Sequence, residues 1–351
     1  MRTSTPPAPD AGAPPRTNAE WRSVLAPYSR ASVPHAALDV LTSIVPYVAL
    51  FVAMYLSLEV SYLLTLALAI PASGFLLRTY IVFHDTTHGS FLPWRWANHL
   101  LGVVAGLIVY TPYTSWRSDH AYHHATAGDL DRRGGGDVET MTVDEYLAAG
   151  RGRRAVYRLF RNPLVMFTLG PVVALVIQPR FVGRDKPARI KRSVHATNVT
   201  LALLIAGLCV LMGPVSFLLV QLPMVFLAGG AGVFLFYVQH QFEDVYWESG
   251  DRWSYADAAL QGSSYLKLPK LLQYFSGNIG LHHVHHLNAR IPNYRLQQAH
   301  DEVDVFHDVP VLTVWQGVRA TRLKLWCRER QRLVTWAEVR PLLRAQADGA
   351  A

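Results

Sequence analysis

The chain has 351 residues, 51% of them hydrophobic and only 17% charged, against about 25% charged in an ordinary soluble domain. Two cysteines exclude a disulfide scaffold and any metal cage built of three or four thiolates. A net charge of +8 suits nucleic acid, an anionic membrane or an acidic partner equally well, and fifteen histidines are the unusual component.

In chain order, residues 1–20 hold five prolines (Pro6, Pro7, Pro9, Pro14, Pro15) and almost no large apolar side chain. They read as a disordered tail, taken to residue 30, without the apolar core of a signal peptide. Apolar runs follow at 39–58 and 61–77, joined only by Glu59 and Val60, and again at 197–213 and 216–238, joined at Gly213-Pro214. Each is close to the ~20 residues that cross a bilayer core of ~30 Å. The short connections make two helical hairpins. A buried helix pair in a large soluble protein is the competing reading, and four such segments weigh against it. The runs 100–110 and 164–177 are shorter, and Pro171 with its flanking glycines counts against a straight crossing. Both are expected to be interfacial or re-entrant. The expected fold is an all-α integral membrane domain over 31–340, with four spanning helices, a helical cap and a tail at 341–351.

Lysine and arginine set the orientation. Arg151, Arg153, Arg154, Arg158 and Arg161 crowd one stretch, and Arg180, Arg184, Lys186, Arg189, Lys191 and Arg192 another, whereas the turns at 59–60 and 213–215 carry none. The positive-inside rule places the basic stretches, both termini and everything after residue 240 in the cytosol. A nucleic-acid reading would need a soluble basic face interleaved with aromatics, and no such module is visible.

The histidines fall on that same side. His84 and His88 stand at i, i+4 in FHDTTHGS, and His120, His123 and His124 follow in WRSDHAYHH. His282, His285 and His286 repeat the spacing in GLHHVHHLN, and His240 ends the fourth apolar run. On a helix such spacings present the rings to one side. Neutral imidazole ligates Zn, Cu, Fe and Ni, and so many packed rings without a metal would leave lone pairs unsatisfied. Nine are too many for one ion, so two metals are the natural count. His35, His99, His195, His300 and His307 are read as ordinary surface or hydrogen-bonded residues.

These boxes resemble those of the membrane fatty acid desaturases, whose pattern is HxxxH, HxxHH and HxxHH; here they read HDTTH, HAYHH and HHVHH. The likeness continues through RSDHAYHHATAGDLDRRGGGD, FYVQHQFED and HHLNARIPNYRL over roughly residues 35–335, and points to the bacterial acyl-lipid Δ12 (omega-6) branch. The resemblance implies an O2-dependent desaturase of the bacterial cytoplasmic membrane that places a cis double bond in an acyl-lipid, with acyl-CoA as the alternative substrate. It implies two iron ions (Fe2+/Fe3+) held by His84, His88, His120, His123, His124, His240, His282, His285 and His286, with dioxygen as co-substrate. Related acyl-CoA desaturases carry an Asn one turn before the histidine matching His240. Phe236 stands there in this chain, with Asn278 as a weak substitute.

Several residues near the boxes have supporting roles to offer. His283 would sit on the wrong helical face for a ligand and is read as hydrogen-bonded to a carboxylate. Asp85 and Asp119 adjoin ligands and are placed to orient ring N–H groups, a solvated acid at a helix start being the bland alternative. No electron-donor domain is visible: there is no HPGG, no GxGxxG after a strand and no cysteine set. Electrons are therefore expected from a ferredoxin or a cytochrome b5-type protein docking on the basic face, unless those arginines serve lipid headgroups. Gly134-Gly135-Gly136 reads as a flexible turn, and Thr142 to Glu145 as a capping box. Residues 313–345, with Trp315, Leu323, Leu325 and Trp326 among basic residues, read as an amphipathic surface helix. Cys209 reads as apolar filler in the third span. Two other classes compete. A His-box hydroxylase of lipid, alkane or carotenoid substrates would use the same ligands. A metal transporter or sensor would place its ligands near the bilayer midplane.

Overall fold

The computed structural model describes residues 17–134 and 136–348. Its first helix, α1 (Asn18–Leu25), is closed by a capping box in which the Thr17 hydroxyl accepts from the Glu20 N–H and the Glu20 carboxylate accepts from the Thr17 N–H. Trp21 and Leu25 are buried in a core cluster with Val284, Ile291 and Phe306. The expected tail therefore ends earlier than residue 30, because these two side chains have a distant apolar surface to cover. That surface is not visible from local composition.

The apolar runs form long helices, α2 (Val33–Ser57) and α3 (Tyr62–His88). Their turn is tied by a 2.7 Å hydrogen bond between the Ser57 and Thr65 hydroxyls. Leu38, Leu41, Val45, Val48, Val52 and Leu56 are exposed along α2. A stripe of this size suits lipid rather than water. α3 does not stop where its apolar run does. It continues to Gly89, whose φ of 66° gives a left-handed cap, so the first box rides on the spanning helix itself.

α4 (Arg95–Ile108) and α5 (Tyr113–Thr126) form a tight pair. It closes at Gly102, where an added Cβ would lie 2.2 Å from the Tyr113 ring. α6 (Val143–Ala148) has the expected Thr142–Glu145 capping box, and α7 (Arg151–Phe160) follows. α8 (Pro163–Pro171) runs on through a π turn over Val172–Ile177 and a short 3-10 turn to Arg180. The missing N–H of Pro171 accounts for the irregular winding. α9 (Ala188–Met212) and α10 (Pro214–His240) make the second hairpin.

Among the described residues, five helical segments are thus long and apolar enough to cross a membrane, Pro163–Arg180 being the one outside the two hairpins. Its flanks are both tied to the end of the molecule where the histidines gather. Arg161 donates to the Gln241 side chain at 2.8 Å, next to His240, and Lys186 pairs with Asp119 at 2.8 Å, next to His120. The hairpin turns meet at the opposite end, where the Tyr62 hydroxyl reaches the Leu219 carbonyl at 3.5 Å.

The cap is helical with two small sheets, so the all-α expectation needs amending. α11 (Tyr255–Leu260), β1 (Tyr265–Lys267), α12 (Lys270–Phe275), α13 (His282–Leu287) and α14 (Asn293–Glu302) lead to β2 (Val311–Thr313), which pairs parallel with β1. The stretch 313–345 is not one amphipathic helix. It divides into α15 (Val314–Ala320), an antiparallel hairpin of β3 (Leu323–Cys327) and β4 (Arg332–Thr335), and α16 (Trp336–Asp348). The alternation of Leu323 and Leu325 is a strand signal, and Trp326 stacks on Trp247 at 5.9 Å instead of facing lipid. α16 also runs through most of the expected C-terminal tail.

Candidate metal centre

Four elements converge at one end of the bundle. α3 brings His84 and His88, α5 brings His120, His123 and His124, α10 ends on His240, and α13 carries His282, His285 and His286. Their ring nitrogens fall into two groups: His84, His88, His120, His124 and His285 form one, and His123, His240, His282 and His286 the other. Within each group the candidate ligand atoms lie within 4.8 Å of one another. The grouping cuts across the boxes for a helical reason. Positions i and i+4 share a face, so His120 goes with His124 and His282 with His286, while the intervening His123 and His285 turn to the other group.

The ring orientations are set from behind. His84 Nδ1 is 2.9 Å from the Asp85 carboxylate, which also accepts from the Asn293 backbone N–H at 2.6 Å. His123 Nδ1 bonds the Asp137 carboxylate, and His240 Nδ1 lies 3.3 Å from the Gly262 carbonyl. An acceptor at Nδ1 fixes the N–H there and leaves Nε2 as a bare lone pair. Those lone pairs point inward: His84 Nε2 is 2.9 Å from His120 Nε2, and His240 Nε2 is 2.9 Å from His282 Nε2. His123 Nε2, His286 Nε2 and both nitrogens of His285 are buried without any hydrogen-bond partner. Buried nitrogens left this way are costly unless a cation satisfies them, so the donor set fits two metal ions.

Protonation agrees. Burial first, and then the charge of neighbouring imidazoles, pushes His120, His124, His282, His285 and His286 well below the ordinary histidine range. Neutral rings are the form that ligates. Apolar rings close the flanks: Trp116 stacks on His120 at 4.2 Å and meets Phe83 at 5.2 Å, while Phe236 lies 5.2 Å from His123.

The supporting residues are placed differently from one another. Asp85 lies against the Nδ1 of His84. Asp119 is half exposed and paired with Lys186. His283 is fully buried, but its partner is His300 at 3.1 Å instead of a carboxylate. Asn278 has a φ of 58° and donates to the Asn293 carbonyl at 3.1 Å, not to a histidine ring. Asp137 escaped sequence reasoning. It follows a glycine run and stands fourteen residues from His123, with no helical periodicity to relate them.

The family model "Fatty acid desaturase" matches residues 59–315. A fatty acid desaturase of Bacillus subtilis (strain 168) is 42% identical over 316 residues, 90% of each chain. More distant is the sn-1 oleoyl-lipid 12-desaturase of a Synechocystis strain, 26% identical over 64% of each chain. An sn-1 acyl-lipid omega-3 desaturase (ferredoxin) of a Nostoc strain is also 26% identical, over 64% of this chain and 63% of its own. The chain belongs to the fatty acid desaturase family. Membership makes it a membrane oxidoreductase acting on a lipid or acyl substrate.

Proposed function

We propose that the protein introduces a cis double bond into the acyl chain of a membrane lipid, at the Δ12 (omega-6) position, using dioxygen, two irons and electrons from an external carrier. The observation that carries this reading is the double cluster of inward-facing imidazole nitrogens at the end of an apolar helix bundle. His84, His88, His120, His124 and His285 would hold one iron, and His123, His240, His282 and His286 the other. When bound, the irons supply the oxidising power that removal of hydrogen from unactivated carbon requires. The chain's own residues do the rest. Asp85 and Asp137 fix the tautomers of two ligands, and Trp116, Phe83 and Phe236 offer apolar surface beside the rings, from which an acyl chain displaces water. Phe236 cannot supply a polar ligand one turn before His240.

The Δ12 position and the acyl-lipid substrate draw on the relatives named for those activities. A ferredoxin donor draws on the relative named with one, and a cytochrome b5-type donor is the alternative. For topology we read four crossings, α2, α3, α9 and α10, with 163–180 re-entrant. Both ends of that segment being tied beside the histidines supports this. The basic stretches then mark the cytosolic face of a bacterial cytoplasmic membrane, with both termini and the site on it.

The test is expression in a host whose lipids are only monounsaturated, followed by fatty-acid profiling with double-bond location. A new diunsaturated chain bearing a Δ12 bond is expected, and His285→Ala should abolish it while the protein still inserts. His283→Ala should be milder. A hydroxylated lipid with no new double bond would overturn the desaturase reading, and full activity of His285→Ala would overturn the shared metal centre.

A further inference from the structure

Gly136, next to Asp137 in the chain, lies against α5 at the candidate metal centre. Gly134 and Gly136 have φ of 91° and 84°, the left-handed region that side chains avoid. At Gly136 space is short as well as backbone freedom: an added Cβ would sit 3.3 Å from the Asp119 carbonyl oxygen and 3.3 Å from His123 Cβ. The loop therefore passes over α5 at backbone contact, beside the very residue whose ring Asp137 holds.

The loop is clasped at its base. Arg133 donates to the Leu130 carbonyl and to the Thr140 carbonyl, each at 2.7 Å, so one guanidinium joins both sides. It also bonds the Glu145 carboxylate at 2.9 Å, anchoring the loop to the capping box of α6. The Asp137 carboxylate then meets His123 Nδ1, with their side chains 15% and 1% exposed.

We propose that the turn at Gly136 exists to deliver Asp137 onto His123, making Asp137 the positioning residue of the four-histidine group as Asp85 is of the five-histidine group. Each group of imidazoles thereby receives one carboxylate. Two consequences follow from the chemistry. Asp137 holds the His123 proton on Nδ1, whereas an unsupported ring also adopts the tautomer that blocks Nε2. Its charge further offsets that of a buried divalent cation, which four neutral ligands leave uncompensated.

This inference rests on the reading of the histidines as an iron centre, and the experiment separates the two. The full-length protein in detergent is stripped of metal and titrated with Fe2+, and iron per chain and the Mössbauer spectrum of the 57Fe-loaded form are recorded. Wild type is expected to bind two irons. Asp137→Ala should weaken one of them ~10–100-fold, the usual range for losing such a support, and change one iron's spectral signature while sparing the other. Asp137→Glu should recover part of the loss, and Asp119→Asn, one residue from His120 but facing Lys186, should lose nothing. Should Asp137→Ala fail to fold, Gly136→Ala decides, since it keeps the carboxylate and lifts the loop; it should lose the same iron. Variants at 136 and 137 that hold both irons at wild-type affinity with an unchanged spectrum overturn the proposal alone. A wild type that binds no iron overturns it together with the metal-centre reading.

Discussion

Lys324 shows how burial changes what a single side chain contributes. It is 3% exposed, its ammonium donates to the Arg161 carbonyl at 2.5 Å, and the buried Arg161 guanidinium acts on its charge. Desolvation first, and then repulsion by Arg161, pull its pKa down to about 7. In the unfolded chain the same group titrates near ~10.4. Between those values the unfolded chain binds the extra proton, so stability rises with pH from 7 to about 10, and the burden of the buried charge is complete below 7. Replacing Lys324 with Met should flatten that slope, read as the midpoint of thermal unfolding across the window. An undiminished slope would show that another group carries it. At this scale the sequence was informative about histidines and silent about their supports. Asp85 adjoins His84 and could be nominated by position alone. Asp137 and His300 reach their partners across fourteen and seventeen residues with no helical repeat to relate them, and nothing local marks them.

Helices and loops were legible to the extent that their periodicity stayed local. The four long apolar runs became four helices, since unbroken hydrophobicity over that length leaves the backbone only its own hydrogen bonds in lipid. Their ends were not legible. α3 runs eleven residues past its apolar stretch because the last turns are covered by protein instead of lipid, which permits polar side chains to continue the helix. The 313–345 misreading has a similar origin: a strand alternation was averaged into a helical pattern. Close approach of elements depends on small residues whose partners lie elsewhere in the chain. Gly102 lets α4 lie against the Tyr113 ring, and Tyr113 in turn bonds the Thr86 carbonyl between the two histidines of the first box. Gly102→Val should therefore destabilise by at least the ~1–3 kcal/mol typical of overpacking and displace the start of α5. Gly207→Val, on α9 where nothing lies within 4 Å, is the matched control. Equal unfolding temperatures for the two variants would show that the α4–α5 contact is not tight.

For the whole molecule the quantity to measure is topology, since five segments among the described residues qualify as spans by length and composition. If 163–180 dips in and returns, residues 151 and 184 face the same compartment; if it crosses, they face opposite ones. Single cysteines at Arg151 and Arg184, in a chain with Cys209 and Cys327 replaced, should both react with an impermeant thiol reagent from the side opposite to a cysteine at Glu59. Labelling of Arg151→Cys and Arg184→Cys from different sides would make the segment a fifth span and overturn the re-entrant reading. The sequence by itself determined the hairpins, the basic face and the spacing of the three boxes, because each depends on side chains within a turn or two of one another. Only the tertiary structure decided how nine imidazoles divide into five and four, and that the turn at Gly136 brings Asp137 to His123. Those outcomes depend on where α3, α5, α10 and α13 meet. Spacing within one helix sets the direction of a ring, but not which ring from another helix it will face.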